Sequence, residues 1–417
     1  MVAKQTSEIA FMVTDIHVKL NQNELRLLCR ISLFLSVLSL VLSFSSCGPK
    51  HGNGNGENDS TIISAIVETP TNTPTNIPTN YHFMVENSGS VKGYFNGNSK
   101  AKAILKNLYD RLDEQLNVDD TITLNYINTS ITPFHASIEP FLQQTWSKCT
   151  ASFTKLDDIL SMAFSAANSE SVTLLVSDYC FASNVGSLET AKSGITNLFT
   201  KGLKDNTGLS VAILKFNSDF NGKYYPGGLL CKQNLPFYVW VFGNAAKVKK
   251  VIELPNIINN GILVLQPTET ITPEIQFSNA RMKGKSAGFV KVSMWKKDRH
   301  NDTYSLTYKF PLSNIIMDKD AILNRNAYKL PLGYIISNIE VEKDTCTMTI
   351  ATKRPSPGKL CIEYQSKLPN WVEESNFEGT GVPPEGKTLG VKSLIEGVYN
   401  AYINKDNNIF TINITLQ

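Results

Sequence analysis

The stretch that decides the fold is YHFMVENSGSVKGY, residues 81–94. Its first five residues are mostly apolar and predict a short buried strand, Tyr81–Val85. Glu86, Ser88 and Ser90 follow at alternate positions of a loop that contains a glycine. A carboxylate and two hydroxyls are oxygen ligands of the kind that a hard divalent cation prefers. The stretch therefore predicts a strand that ends in one half of a cation site.

Downstream of this loop, short apolar runs alternate with amphipathic segments. The alternation predicts an α/β domain over residues 81–255, built on a doubly wound, mostly parallel sheet of six strands covered on both faces. The predicted strands are Tyr81–Val85, Thr121–Ile127, Ile131–Ile138, Ser171–Ser177, Leu209–Phe216 and Phe237–Phe242. The predicted helices are Ser99–Leu116, Thr154–Ala167 and Ser187–Phe199.

The last part of the chain, residues 260–417, predicts a second domain that is rich in β-strands. Strand-like runs are separated there by turn-rich pieces, which is typical of an antiparallel sandwich or barrel. The predicted strands are Phe289–Trp295, Tyr304–Phe310, Ile335–Val341, Cys346–Thr352, Leu360–Gln365 and Ile409–Leu416. One helix is expected at Val391–Ile403, and this half shows no catalytic constellation.

The first 47 residues predict an exported protein. Arg26 and Arg30 precede an apolar run of 14 residues, Ile31–Phe44. A membrane-spanning helix needs roughly 20 residues, so the run is better explained as a signal peptide. The alternative is a buried helix. A start site assigned too far upstream would explain the polar extension Met1–Leu25 that precedes the basic residues.

Cys47 follows two serines directly after this apolar run. The arrangement resembles the lipobox of bacterial lipoproteins, although Phe44 stands where a leucine is more usual. The resemblance implies that Cys47 becomes the acylated first residue of the mature protein. It also implies a location in the bacterial cell envelope, with the outer membrane expected and the membrane face left open.

Residues 48–80 form a segment rich in proline, threonine, asparagine and glycine. Such a composition buries too little apolar surface to fold, and it predicts a tether between anchor and domain. The whole chain has 40 basic and 37 acidic residues. This near-neutral balance gives no reason to expect a nucleic acid as partner.

Five cysteines remain if Cys29 is cleaved off and Cys47 is acylated, and no CxxC pair occurs among them. They are Cys149, Cys180, Cys231, Cys346 and Cys361. The odd number does not predict a disulfide framework, although an exported protein can hold one or two bridges. Cys149 and Cys180 fall near the predicted cation site, either as a disulfide or as two buried thiols.

Other oxygen-bearing residues fall at the matching ends of later elements. Asp178 follows the predicted strand Ser171–Ser177, and Ser152 and Thr154 lie just before a helix. Ligands of open α/β sheets bind beyond the carboxyl ends of the strands, where the strand order reverses. If the first and fourth strands flank that reversal, these residues converge on the loop that follows Tyr81–Val85. The donors suit Mg²⁺, or Mn²⁺ or Ca²⁺, rather than zinc.

These elements resemble a von Willebrand factor A domain with a metal-ion-dependent adhesion site. In that family a D-x-S-x-S loop follows the first strand, a threonine lies in a later loop, and an aspartate ends the fourth strand. Glu86–Ser90, Thr154 and Asp178 match these elements in order, within about residues 81–250. The chain departs from the family at Glu86, where glutamate replaces aspartate.

The resemblance implies a role for each of these side chains. Ser88, Ser90 and Thr154 would be direct hydroxyl ligands. Glu86 and Asp178 would balance the charge of the cation, directly or through water. The longer side chain of glutamate either binds the metal directly or crowds the position of a partner's carboxylate.

The expected function is binding rather than catalysis: a membrane-anchored protein that holds a protein partner through an acidic side chain on the metal. Two alternatives stay open, a Mg²⁺-dependent phosphoester hydrolase and a structural component of a cell-envelope complex that uses no metal. Ser99-Lys-Ala-Lys102 matches the S-x-x-K spacing of some serine acyl enzymes. At the start of a predicted helix, Ser99 is instead interpreted as a helix cap.

Overall fold

The structure is a computed structural model that describes residues 78–151, 154–181, 187–225, 227–278, 283–317, 319–403 and 408–417. The predicted signal peptide, Cys47 and nearly all of the predicted tether lie outside the described residues. Ser152 lies outside them as well.

A mixed sheet of seven strands carries the first part of the described chain. Its strands are β1 (Asn80–Glu86), β2 (Thr121–Ile127), β3 (Ile131–Phe134), β4 (Ser171–Ser177), β5 (Leu209–Tyr224), β6 (Leu229–Asn244) and β7 (Gly261–Leu265). Their order is β3-β2-β1-β4-β6-β5-β7. β1 pairs in parallel with β2 and β4, whereas the other neighbouring pairs are antiparallel. Four strands, β1, β2, β4 and β5, therefore run in one direction.

Helices cover both faces of this sheet, as the sequence predicts. The described helices are α1 (Lys100–Glu114), α2 (Ile138–Lys148), α3 (Leu156–Ala166), α4 (Leu188–Asp205), α5 (Ala245–Ile252), α6 (Lys319–Leu323), α7 (Asn370–Glu374) and α8 (Val391–Tyr402). Side chains of a strand alternate between its faces. Phe83 accordingly packs in a core with Leu105 of α1, and its neighbour Met84 packs in a second core with Ile159 of α3.

The predicted strand Ile131–Ile138 is wrong in its second half. β3 ends at Phe134, and α2 begins at Ile138 after Ser137 in the N-cap position. Phe141, Leu142 and Thr145 recur on the buried side of α2 with helical spacing. The strand ends early because Ile138, the last apolar residue of the predicted run, is a buried residue of α2. β3 lies at the edge of the sheet and pairs only with β2.

The predicted strands Leu209–Phe216 and Phe237–Phe242 are the inner parts of one long hairpin. β5 and β6 have 16 residues each and pair over their full length. The turn contains Gly227 and Gly228, whose φ values of 106° and 63° favour glycine. β6 inserts between β4 and β5, and β7 adds a strand beyond β5, which gives seven strands instead of six.

The outer half of this hairpin extends past the carboxyl end of β4. The last residue of β4 in the pairing is Ser177, opposite Tyr238, so residues 217–224 and 229–236 continue beyond it. They pack on the short helical turn Val91–Phe95 that follows the first loop. A methyl group built on Gly93 would lie 2.4 Å from the ring of Phe220, so only glycine fits this contact. The hairpin therefore forms one wall beside the carboxyl edge of the sheet.

The rest of the chain is rich in β-strands, as expected. Its strands are β8 (Glu269–Ile271), β9 (Glu274–Ser278), β10 (Lys283–Ala287), β11 (Phe289–Val290), β12 (Lys296–Asp298), β13 (Thr303–Pro311), β14 (Tyr328–Lys329), β15 (Tyr334–Glu342), β16 (Thr345–Thr352), β17 (Gly358–Gln365), β18 (Asn376–Phe377), β19 (Thr388–Leu389) and β20 (Asn408–Leu416). One sheet contains the paired strands β13 and β16, and a second sheet contains the paired strands β17 and β20. Side chains of both sheets form one apolar core. The predicted strand Phe289–Trp295 is shortened to β11 and followed by a helical turn at Val292–Met294.

α8 returns to the α/β part and packs against α4. The hydroxyl of Thr196 donates to the carbonyl of Gly397 at 2.9 Å, and Lys192 pairs with Glu396 at 2.5 Å. α8 thus helps to cover the second face of the seven-stranded sheet, although it lies far from that sheet along the chain. All described residues belong to one compact unit. Among them, no helix combines the length and the apolar character needed to cross a membrane.

Candidate metal centre

The candidate site lies at the carboxyl ends of β2, β1 and β4, the three adjacent strands that pair in parallel. In the register of the sheet, Glu86 of β1 lies opposite Ile127, and Val85 lies opposite Val176 of β4. The chain continues from β1 to β2 on one side and from β4 to the β5–β6 hairpin on the other. The strand order therefore reverses between β1 and β4, as the sequence predicts, and ligands of such sheets bind at this point.

The loop after β1 is held on both sides by backbone hydrogen bonds. The N–H of Asn87 donates to the carbonyl of Ile127 at 3.2 Å, and the N–H of Gly89 donates to Ala151 at 2.8 Å. The hydroxyl oxygens of Ser88 and Ser90 are 2.9 Å apart. This spacing places two hydroxyl oxygens side by side at the carboxyl edge.

Glu86 is the deepest member of the site, with 1% of its surface exposed. The hydroxyl of Ser177, on the neighbouring strand, donates to its Oε2 atom. Burial raises the pKa of Glu86, and hydrogen bonds from Ser177, Ser88 and Thr154 oppose that rise. Glu86 therefore contacts the first loop, the end of β4 and the loop before α3.

Asp178 lies beside Glu86 and is 3% exposed. Burial, and then the negative charge of Glu86, raise the pKa of Asp178 to about 7, against weaker opposition from the N–H of Cys180 and the hydroxyl of Ser90. Its Oδ1 accepts a hydrogen bond from Cys180 N at 3.0 Å. Its buried Oδ2 has no hydrogen-bond partner among the described residues.

Thr154 closes the site on its third side and is half-buried. Its hydroxyl bonds to Glu86 and accepts a hydrogen bond from Asn128 Nδ2 at 2.7 Å. The structure thus brings together all five residues that the sequence places in the site: Glu86, Ser88, Ser90, Thr154 and Asp178. Sequence reasoning missed Asn128 and Ser177. Asn128 had a usable signal, because it follows β2 just as Asp178 follows β4.

The donor atoms fit a hard divalent cation. They are carboxylate and hydroxyl oxygens, which suit Mg²⁺, Mn²⁺ or Ca²⁺. A buried acceptor without a partner costs about 1–3 kcal/mol, and a cation would give Asp178 Oδ2 the partner that it lacks. In the described ranges no cluster of three or more His, Cys, Asp or Glu side chains could hold a metal ion. A metal at this site would therefore depend on the hydroxyl ligands.

Two thiols border the site and are free cysteines. Cys180 Sγ donates to the carbonyl of Tyr225 at 2.7 Å and contacts the hydroxyl of Tyr224 at 3.2 Å. Burial, and then the charge of Glu86, raise the pKa of Cys149 to about 12. Burial also raises the pKa of Cys180. Both side chains are therefore neutral thiols, which are poor nucleophiles.

The turn after Asp178 is fixed by a buried aromatic residue in an uncommon backbone conformation. Tyr179 has φ 48°, in the left-handed region. Its ring stacks on Trp240 at 4.6 Å between centroids, and its N–H donates to the hydroxyl of Ser177 at 2.9 Å. These contacts hold Asp178 in the edge of the sheet.

Comparison with known proteins assigns no family. No protein-family model matches the chain, and no curated protein matches it in sequence.

The S-x-x-K match at Ser99 is explained by helix capping. Ser99 Oγ accepts a hydrogen bond from Lys102 N at 3.4 Å, which makes Ser99 the N-cap of α1.

Proposed function

We propose that this chain is a protein-binding protein that depends on a divalent cation, Mg²⁺ or else Mn²⁺ or Ca²⁺. The observation that carries the proposal is the buried, unpartnered Oδ2 of Asp178 beside a second buried carboxylate. Two like charges at such a place repel each other unless a proton or a cation lies between them. The arrangement of Glu86, Ser88, Ser90, Thr154 and Asp178 supports a site of the von Willebrand factor A type.

Each residue has a role in this proposal. Ser88, Ser90 and Thr154 offer neutral hydroxyl oxygens, and Glu86 and Asp178 supply two negative charges. When bound, the cation supplies a positive charge and a coordination position for an acidic side chain of the partner. Because only two of the five side chains are charged, the protein neutralises a divalent cation without an excess of negative charge that would repel that acidic side chain.

Glu86, the departure from the family pattern, is compatible with this role. Its carboxylate turns back to the end of β4, where Ser177 donates to Oε2. The side chain is almost fully buried. The extra methylene is therefore accommodated inside the sheet edge and not on the outer side, where the partner's carboxylate would bind.

The surroundings favour binding over catalysis. The two bordering thiols, Cys149 and Cys180, have raised pKa values and do not supply an activated nucleophile. Trp146 is 45% exposed, and Lys92 Nζ lies 4.2 Å from the centre of its ring. Lys92 belongs to the helical turn that follows Ser90 and acts on the pKa of Cys149, so it lies near the site. Tryptophan and a basic group suit the surface for an acidic protein partner.

We also propose that the protein is anchored in the bacterial cell envelope, at the outer membrane, by a lipid on Cys47. The described chain begins at Pro78, next to the amino end of β1. The seven residues of β1, at about 3.3 Å per residue, separate that point from the site by roughly 20 Å. A tether that enters at the amino edge leaves the carboxyl edge available to a partner.

Partner capture with matched variants tests the proposed function. Purified wild-type chain, Asp178→Asn and Asp120→Asn are immobilised and exposed to detergent-solubilised membranes in Mg²⁺ or in chelator. The expected result is one set of proteins retained by wild type and by Asp120→Asn in Mg²⁺ only. Retention that survives both chelation and Asp178→Asn would leave a structural role without metal. Turnover of generic phosphoesters that needs Mg²⁺ and Asp178 would favour the hydrolase.

A further inference from the structure

Asn128 occupies a place in the site that mirrors Asp178. β1 lies between β2 and β4, so the residues that follow these two strands flank Glu86 on opposite sides. Asn128 follows β2 and is only 9% exposed. Its backbone N–H donates to the carbonyl of Ser130 at 3.2 Å, which turns the chain into β3. Its side chain faces the loop before α3, where it bonds to Thr154.

The hydrogen bonds of Thr154 define how this side chain acts. A hydroxyl group has one proton to donate and two lone pairs that can accept. Glu86, as a carboxylate, can only accept, so the bond between Thr154 and Glu86 uses the proton of the hydroxyl. Asn128 Nδ2 donates to the same oxygen at 2.7 Å and occupies one lone pair. One lone pair remains, and the bond from Asn128 limits where it can point.

We propose that Asn128 is a positioning residue of the metal site, which orients the hydroxyl of Thr154 so that its remaining lone pair points to the cation. The inference rests on the proposed function. Asn128 acts through Thr154 and does not itself bind the metal. Groups that orient a ligand from behind commonly change metal affinity by about 10- to 100-fold when they are removed.

A double-mutant cycle separates this role from a merely structural one. Mn²⁺ binding is measured by calorimetry for wild type, Asn128→Ala, Thr154→Val and the double variant. Asn128→Ala should weaken Mn²⁺ binding by about 10-fold. In the Thr154→Val background the same change should have no effect, because no hydroxyl is left to orient. In a Thr154→Ser background, which restores the hydroxyl, the effect of Asn128→Ala should return.

Asn206→Ala is the matched control. Asn206 Nδ2 donates to the carbonyl of Ala167 at 3.3 Å, at the opposite edge of the sheet. Its removal also deletes an amide hydrogen bond but should leave Mn²⁺ affinity unchanged. If Asn128→Ala does not fold, Asn128→Leu replaces it, since leucine has a similar size and no donor.

The outcomes separate the inference from the function on which it rests. If wild type binds Mn²⁺ and Asn128→Ala binds it equally well, the positioning role is wrong and the metal site stands. Equal weakening in the Thr154→Val background would also overturn the role, since it would show a general structural effect. If wild type binds no divalent cation, the proposed function and the role of Asn128 fall together.

Discussion

Two aspartates at opposite edges of the same sheet show what distinguishes a structural carboxylate from a candidate ligand. Asp120 precedes β2 at the amino edge and accepts hydrogen bonds from Thr79 N at 2.7 Å, Asn117 N at 2.9 Å and Asn117 Nδ2 at 2.8 Å. Asp178 follows β4 at the carboxyl edge. One of its oxygens has a backbone donor, and the other has no partner in the part of the chain that is described.

The pKa values of these two carboxyl groups shift in opposite directions for this reason. Burial acts to raise the pKa of Asp120, but hydrogen bonds from Asn117 and Thr79, with the charge of Lys250, outweigh it and lower the pKa. Burial and the charge of Glu86 raise the pKa of Asp178. Burial alone therefore does not mark a site. A buried carboxylate oxygen that has no donor and lies beside a second carboxylate does.

The largest expected effect is on the pH dependence of stability without metal. The folded-state pKa of Asp178 is raised from 3.8 to about 7, so the protonated carboxyl stabilises the fold fully below about pH 4. That stability is lost as the pH rises towards 7, by up to about 4 kcal/mol in the free energy of unfolding. Urea unfolding in chelator at pH 5 and pH 8 measures the larger part of this loss, about 3 kcal/mol. Asp178→Asn should remove the part of the loss that comes from Asp178, whereas Glu86, whose pKa is also raised by burial, keeps its own part.

Asp120→Asn gives the opposite sign. A lowered folded-state pKa contributes stability above the unfolded pKa that is lost as the pH falls through the folded one. Asp120→Asn should therefore flatten the acid limb of the stability curve and leave the loss between about pH 4 and pH 7 in place. If Asp178→Asn and Asp120→Asn changed the stability in the same pH range, the contrast between the two carboxyl groups would be wrong.

A smaller effect is expected at the two ends of β4. Ser177 donates to Glu86 at the carboxyl end, and Ser171 Oγ donates to the carbonyl of Ala166 at 2.7 Å at the amino end. Ser171→Ala deletes one hydrogen bond and should cost about 1 kcal/mol of stability. Ser177→Ala deletes two, because the Ser177 hydroxyl also accepts from Tyr179 N, and should cost about 2 kcal/mol. Ser177→Ala should also weaken Mn²⁺ binding by about 10-fold, because Glu86 loses the donor that orients it.

Calorimetry with Mn²⁺ on both serine variants checks this difference. Ser171→Ala should bind Mn²⁺ as wild type does. Equal affinities of the two variants would show that Ser177 only supports the fold.

The smallest effect is expected at Tyr179, whose buried hydroxyl also lacks a partner in the described ranges. Tyr179→Phe removes this desolvated group, so stability should stay unchanged or rise by up to about 1 kcal/mol. Mn²⁺ affinity should not change, since the hydroxyl belongs to no proposed ligand. Thermal unfolding with and without Mn²⁺ measures both. A loss of the Mn²⁺-dependent shift would mean that the site extends to Tyr179.

The sequence predicts the parts of the fold that depend on local pattern. The strands that end at Glu86 and Ser177 are short apolar runs, and their carboxyl ends meet because both run parallel. The strand Ile131–Ile138 was wrong because its apolar positions belong partly to α2. The insertion of β6 between β4 and β5 depends on a hairpin turn that brings distant runs together. The local periodicity of the sequence does not predict that β6 pairs with both β4 and β5.

The site divides in the same way. The residues of the loop after β1 and Asp178 can be predicted, because each follows a recognisable strand. The contact between Ser177 and Glu86 depends on the register of β1 against β4, and the bond from Asn128 to Thr154 joins residues 26 positions apart. Neither distance nor direction of these hydrogen bonds can be read from spacing along the chain.

The central claim is that the unpartnered oxygen of Asp178 marks a cation site and that the satisfied carboxylate of Asp120 does not. Titration calorimetry with Mn²⁺ at pH 8 on wild type, Asp178→Asn and Asp120→Asn tests it directly. We expect one bound ion for wild type and for Asp120→Asn, and no detectable binding for Asp178→Asn. Absence of binding in wild type, or equal binding in Asp178→Asn, would contradict it.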